Sequence, residues 1–446
     1  PTPLARDPRP GVASAAHQSG VAVSTEAPAR LLPAPHPAVY MVLYLPFGAL
    51  GGFITVALTF LATRHGLSIT EGSFLGGAQM ISQWLKWIWA PAVDVSLSPK
   101  RWYVIATVLS AVGVFTMAVV PLGPATLPLL LAVVAVASLV NSVVVMAIES
   151  MLAQTTQPGQ EGRVSAWFQA GNLGGNGLGG GLGLYLLQAL PEPWMAGSIM
   201  AALFLACCLG LFFVPAVVAH ASEGGAMGAV RSVLGDIKAL AKARGGLLAA
   251  LLCFLPIGTG AGQGVLTQAA VAGVWGASDT EVALVQGVFA GVVLAVGCFA
   301  GGWLCDRLQP RTAYAAIGLA LAVVGALMGL MAPGSPLNPS GITPVTLYVV
   351  GNLTYAFVVG LAYAAFTAVV LQAIGRGSAA TKYSLYASLS NFPIWWLGLL
   401  LGRAADEYGA AQMLYLEAGL GVLGVTLFFA VGRAWKGGEA SPQAVS

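Results

Sequence analysis

Leu45-Pro46-Phe47-Gly48 returns as Leu255-Pro256-Ile257-Gly258, 210 residues further along the chain. Ser68-Ile69-Thr70-Glu71 returns as Ser278-Asp279-Thr280-Glu281 at the same offset of 210. In both copies the serine can cap a helix and the acid sits near the positive end of its dipole. Asp94 corresponds to Asp306, 212 residues on, and Ser165 and Asn172 correspond to Ser384 and Asn391, 219 residues on. The order is preserved and the offset drifts slowly. Chance produces one such match but hardly all of them. The chain reads as two homologous halves in the same orientation.

Composition says what the halves are made of. Of 446 residues, 57% are hydrophobic and only 8% carry charge, against about 25% in an ordinary soluble domain. So few charges cannot cover a soluble globule of this size. A cytosolic enzyme, a nucleic-acid binder and a disordered scaffold are excluded. From Val39 on, apolar runs of about 20 residues follow one another, each long enough to cross a bilayer as a helix. They cover about 39–62, 72–93, 102–122, 126–153, 164–190, 194–218, 246–273, 281–304, 312–332, 345–374, 380–404 and 410–432. The expected fold is an all-α membrane protein, with twelve transmembrane helices in two pseudo-symmetric six-helix bundles. The bundles occupy 37–218 and 246–432, with a disordered cytoplasmic arm at 1–36 and a cytoplasmic tail at 433–446. The arm lacks the apolar core of a signal peptide. Between the bundles, 219–245 carries Val230, Val233, Leu234, Ile237 and Leu240 at helical spacing, opposite Arg231, Lys238, Lys242 and Arg244. That pattern fits an amphipathic helix on the cytoplasmic membrane surface, as a tether or a regulator.

The basic residues give the orientation. With the N-terminus inside, 16 of the 19 fall on the cytoplasmic side, Arg64 and Arg403 fall outside, and Lys86 is embedded. Both termini are therefore expected in the cytoplasm, across an inner or plasma membrane.

Soluble-enzyme chemistry finds little support. His17, His36, His65 and His220 lie in loops, the arm or helix ends, and no metal-ligand spacing or Ser-His-Asp set is present. The five cysteines sit in apolar runs and read as small buried hydrophobes. Gly175, Gly177 and Gly180 match G-x-G-x-x-G but lie inside a span, where close helix packing explains them. No G-x-x-x-x-G-K-[ST] run occurs. The reading is of a protein that is not an enzyme and has no cofactor, metal or nucleic-acid partner. Energy for any transport would come from a gradient.

Asp94 follows Trp89-Ala90-Pro91-Ala92-Val93 and precedes Lys100 and Arg101, while Asp306 follows Gly301-Gly302-Trp303-Leu304-Cys305 and precedes Arg307 and Arg311. These paired loops after spans 2 and 8 resemble the G-x-x-x-D-R-x-G-R-R signature of the major facilitator superfamily. The resemblance implies the fold named above and a gating role for Asp94, Lys100, Arg101, Asp306, Arg307 and Arg311. It also implies that Asp94 faces the start of span 11, near Ser378 to Thr381, and that Asp306 faces the start of span 5. A carboxylate against a helix N-terminus would hold the inner gate shut. Val95 and Pro99 depart from the signature, which predicts a weaker gate at Asp94. A narrower resemblance rests on Lys86-Trp87-Ile88-Trp89-Ala90-Pro91 through Asp94, and on Tyr383 to Asn391. Both stretches are similar to the muropeptide-permease (AmpG-type) and acetyl-CoA-transporter branch. Where many muropeptide permeases carry two acids at the inner end of span 4, this chain has Glu149 alone.

Lys86 lies eight residues before Asp94, about 12 Å into the span. An embedded charge costs about 2.5–3.5 kcal/mol on insertion scales, so it should face water or a partner. Gln79, Gln83 and Lys86 share a helix face, and Glu149 is the expected partner in the same half. Asn172 and Asn176 on span 5, Asn391 and Trp395 on span 11, and Gln263 on span 7 complete the expected substrate or proton path. Pro46 and Gly48, with Pro256 and Gly258, mark spans 1 and 7 as hinges. The resulting expectation is a monomeric secondary transporter working by alternating access, coupled to protons. Its cargo would be a mid-sized polar solute, muropeptide-, siderophore- or acyl-CoA-like, with an anionic group for Lys86. The alternative is a non-transporting membrane sensor or scaffold that kept the fold.

Overall fold

The computed structural model describes residues 34–439 apart from 66, 68, 217–224, 267, 286–288, 336–340 and 376–377. Nearly all of the expected 1–36 arm, the end of the tail, and His17, His220 and Arg376 lie outside the described residues.

All regular structure among the described residues is helical. In the first half, span 1 is Ala38–Gly52, a π-helical turn Phe53–Leu58 and Thr59–Arg64. Span 2 is Ile69–Val95, span 3 Pro99–Val119, span 4 Leu127–Thr155 and span 5 Glu161–Ala189. Span 6 is Pro193–Cys207 with a tightened end, Cys208–Phe213. A linker helix, Gly225–Lys242, precedes the second half. Span 7 is Arg244–Phe254, Ala261–Leu266 and Ala269–Val274, and span 8 is Asp279–Leu284 and Ala290–Arg307. Span 9 is Pro310–Leu330, span 10 Pro344–Ile374, span 11 Ala379–Tyr408 and span 12 Ala410–Glu439. Spans 3, 4, 6, 9 and 10 carry a proline in their first two positions, where the missing N–H breaks no helical bond. Ser278 caps span 8 in a capping box with Glu281.

The two halves pack alike. Span 1 lies on span 5 as span 7 lies on span 11, span 2 on span 4 as span 8 on span 10, and span 3 on span 6 as span 9 on span 12. The halves meet where span 2 packs on span 11 and span 5 on span 8. Glycines make these contacts close. A Cβ on Gly48 would strike the Asn172 carbonyl, one on Gly179 the Ala49 carbonyl, and one on Gly302 the Gly162 carbonyl. Gly175 and Gly180 face span 1 and Gly177 faces Gly291 of span 8, so this glycine run packs helices.

Among the described residues, spans 1, 3, 4, 6, 8, 9, 10 and 12 are the eight helices long and apolar enough to cross a membrane by length and composition. Spans 2, 5 and 11 are too polar for that test and span 7 is broken. Spans 2, 5 and 11 carry contacts between the halves, and Lys86, Gln169 and Ser384 are buried there. On the outside, large apolar side chains such as Phe212 (84% exposed), Val292 and Leu399 are exposed, as the surface of a membrane-spanning bundle requires.

Two expectations need correcting. Span 7 is not one helix over 246–273. The chain leaves the helix after Phe254 and resumes at Ala261, with Gly258 and Gly260 at φ of 61° and 67°. Only glycine adopts those angles cheaply. Span 1 does not break at its matching site. Pro46 and Gly48 lie within a continuous helix, held by the close approach of span 5, and the irregular turn comes later, at Phe53–Leu58. The linker helix spans both halves, resting on span 2 and on the start of span 7. It buries Val233 and exposes Arg231, Lys238 and Lys242, but Leu234 is also exposed.

Candidate functional site

A cavity of about 280 Å³ opens at the seam. Of the residues expected to form a path, Gln79, Gln83, Lys86, Glu149, Asn172, Asn176 and Asn391 all line it, together with Gly48 and Gly258. Lys86 and Glu149 form a fully buried ion pair, with Nζ 3.0 Å from Oε1. The Ser384 hydroxyl of span 11 lies 3.4 Å from the other carboxylate oxygen, and Lys86 stands 5.9 Å from the Tyr383 ring centre. The pair thus belongs to the first half but is completed by the second. Breaking a buried pair by deleting one partner costs about 3–5 kcal/mol, because the other charge is stranded.

A hydrogen-bond chain crosses the seam beside it. Asn172 donates to Gln169 (3.0 Å), Gln169 donates to Thr367 of span 10 (2.7 Å), and Thr367 pairs with the Tyr383 hydroxyl (2.9 Å). Aromatic rings complete the wall. Tyr44 stacks on Phe168 at 4.0 Å and on Phe47 at 5.3 Å, and Tyr314, Tyr363 and Phe366 face it from the second half. The Gln79 side-chain oxygen is buried at the wall without a protein partner among the described residues. The cavity offers a solute one charged pair, several amides and several ring faces. That is the makeup of a site for a polar molecule with an apolar part.

On the side of the linker helix, hydrogen bonds join the halves at two symmetric points. Asp94, 4% exposed, accepts bonds from the backbone N–H of Ala380 (3.1 Å) and Thr381 (2.8 Å) and from the Thr381 hydroxyl (2.6 Å). Asp306 accepts from the Arg163 N–H at 3.1 Å, at the start of span 5, and is exposed. The two acids face the helix starts that the resemblance implied, Asp94 with three hydrogen bonds there and Asp306 with the Arg163 N–H. With Val95 in place of a base, Asp94 gives its acceptor capacity to the start of span 11.

The expected basic gate residues go elsewhere. Lys100 donates to the carbonyls of Leu211 (2.9 Å) and Val214, closing the negative end of span 6. Arg307 lies 4.1 Å over the Trp303 ring, Arg311 donates to the Gly245 carbonyl at 3.1 Å, and Arg101 is exposed. Two path residues also miss the cavity. Trp395 is 46% exposed beside Phe392, and Ile394 takes the next place on the cavity wall after Asn391. Gln263 is half-buried beyond the break in span 7.

The sequence reading missed Glu417 of span 12. It is buried and accepts bonds from the Tyr355 hydroxyl (2.6 Å) and the Gly262 N–H (2.9 Å). An acid inside an apolar run was the available signal. Among the described residues, no group of three or more His, Cys, Asp or Glu side chains could hold a metal.

Two six-helix bundles joined by a linker, with a polar cavity at their seam and paired acids on one side of it, define a polytopic membrane transporter. The Major Facilitator Superfamily model matches residues 40–396, and the chain belongs to that family. No curated relative matches by sequence. Among solved structures, the human organic anion transporter MFSD10 is similar at 17% identity and a TM-score of 0.62, over 88% of this chain and 98% of that one. The fucose:proton symporter of E. coli is similar at 15% identity and a TM-score of 0.64, with the same coverage of 88% and 98%. A bacterial homologue of the iron transporter ferroportin, in its outward-facing state, matches at 14% identity and 0.62, again over 88% and 98%. Identities this low establish the shared fold.

Proposed function

We propose that the chain is a proton-coupled secondary transporter of a mid-sized polar solute bearing an anionic group, working by alternating access. The observation that carries this reading is the Lys86–Glu149 pair in the cavity wall. In the present state Glu149 neutralises Lys86. An anionic solute can take Lys86 only if that carboxylate is displaced, and a displaced carboxylate in a low-dielectric site takes up a proton. Proton and anion then bind together, and the occupied cavity carries no extra charge across the membrane.

The engaged gate acids support a state closed on the linker side. With both termini and the linker in the cytoplasm, as the basic residues suggest, this is the outward-facing state of a monomer in an inner or plasma membrane. The cavity's mixture of amides and aromatic rings, with the resemblance around Lys86 and Tyr383, favours muropeptide-, siderophore- or acyl-CoA-like cargo. A sensor that merely kept the fold would need neither engaged gates nor a buried charge pair.

A thermal-shift screen of the purified protein against sugar-peptide, metal-chelate and nucleotide-conjugate panels tests the reading. An anionic member should raise the melting temperature, and Lys86→Ala should abolish the shift. Stabilisation that is unchanged in Lys86→Ala would sink the anion role.

A further inference from the structure

Glu417 sits where three elements meet: span 12, span 10 through Tyr355, and the resumed helix of span 7 through Gly262. Its carboxyl is lopsided. Oε1 accepts both bonds, while Oε2 is buried with no hydrogen-bond partner among the described residues. A carboxylate shares its charge between two oxygens, and leaving one of them dry is costly. Protonation removes the charge from that dry oxygen: the carbonyl oxygen keeps both donors, and the Oε2 hydroxyl is a neutral polar group, far cheaper to bury than an ionised carboxylate oxygen. The surroundings agree. Among the described residues the titratable group facing Glu417 is Tyr355 from span 10, and span 7 presents backbone. Span 9 meets this stretch of span 12 through Gly325 and Gly329, the latter against Tyr415. The charges at the far end of span 11, Arg403 and Glu407, are exposed and paired with each other at 2.7 Å.

We propose that Glu417 is a proton-binding site in the second half, neutral in this state, that holds the break of span 7 in place. A Cβ on Gly262 would run into Oε2, so the carboxyl fills the space beside the resumed helix. Gly258 and Thr259, in the same break, line the cavity. Loss of the proton leaves a charge that must recruit water or another donor. The break opens on the cavity at Gly258 and Thr259, so a charge at Glu417 that draws in water reshapes the break there. The site is distinct from the Lys86–Glu149 pair and does not depend on its role.

Infrared difference spectroscopy of the full chain in nanodiscs, titrated with pH, tests this without any transported solute. The expected result is a protonated-carboxyl C=O band at neutral pH that is lost in Glu417→Gln and kept in Glu149→Gln. Tyr355→Phe, which removes one donor to Oε1, should shift that band without deleting it. A cysteine placed at Thr259 should react with aqueous maleimide more readily as pH rises, and this pH dependence should vanish with Glu417→Gln. A band unchanged in Glu417→Gln and in Tyr355→Phe, or a pH dependence that survives Glu417→Gln, would overturn the proposal.

Discussion

Asp94→Asn should open the linker-side gate, and the geometry sets the size of the effect. The carboxylate takes two bonds on Oδ2, from the N–H and hydroxyl of Thr381, and one on Oδ1, from the Ala380 N–H. An asparagine can keep its oxygen toward Thr381, but its amide nitrogen then confronts the Ala380 N–H, donor against donor. One charge-assisted bond is lost, about 1.5–3 kcal/mol. The attraction of a full charge to the helix start is lost as well, about 0.3–1 kcal/mol. Together these weaken the closed state by about 2–4 kcal/mol, a shift of roughly 30- to 700-fold at 1.4 kcal/mol per decade. Spin labels at Arg101→Cys and Gln309→Cys, exposed on opposite halves, would read it by pulsed electron resonance. The variant should move population to a longer distance. Asp306→Asn should do less, since that acid is exposed, and the double variant should do more. Distance distributions identical in the parent, the single variants and the double would refute the gate.

Lys86→Ala should lower thermal stability by an amount equivalent to about 3–5 kcal/mol, because Glu149 is stranded. Lys86→Met with Glu149→Gln should recover most of that loss in the same melting assay; a double variant as unstable as the single would deny the pair its coupling. Gly48→Ala should cost about 1–3 kcal/mol, since its methyl meets the Asn172 carbonyl, whereas Gly77→Ala, with open space around it, should be neutral or better. Equal melting temperatures for these two variants would refute the close approach of spans 1 and 5. Lys100→Ala should cost about 1–3 kcal/mol by uncapping span 6, and its effect on the gate distance should be nil.

The parts of the fold that depend on repetition and on one-dimensional burial were legible in the sequence. The offset of 210 residues between Leu45 and Leu255 indicated two halves, and apolar length indicated the spans. The pairing of Lys86 with Glu149 was legible because an embedded charge leaves few alternatives. Other features were set by three-dimensional neighbours. Pro46 and Pro256 match in sequence, yet span 7 breaks there and span 1 does not; at that level of span 1 the Asn172 and Asn176 backbone packs against Gly48 and Gly52. The family resemblance made the bases near Asp94 and Asp306 gate partners, but Lys100 found the open end of span 6 and Arg311 the Gly245 carbonyl. Trp395 kept the spacing of Asn391 but not its face, with Pro393 between them. Glu417 carried its own signal, an acid in an apolar run, but its partners Tyr355 and Gly262 lie in other spans.

The measurement that bears most directly on the central claim is solute-driven proton entry into proteoliposomes. With the solute that stabilises the purified protein outside, and a pH dye inside, wild-type vesicles should acidify as solute enters. Glu149→Gln, fixed in the neutral form, should still exchange labelled solute but should no longer acidify the lumen. Solute entry without acidification in the wild type, or acidification undiminished in Glu149→Gln, would contradict proton coupling through the Lys86–Glu149 pair.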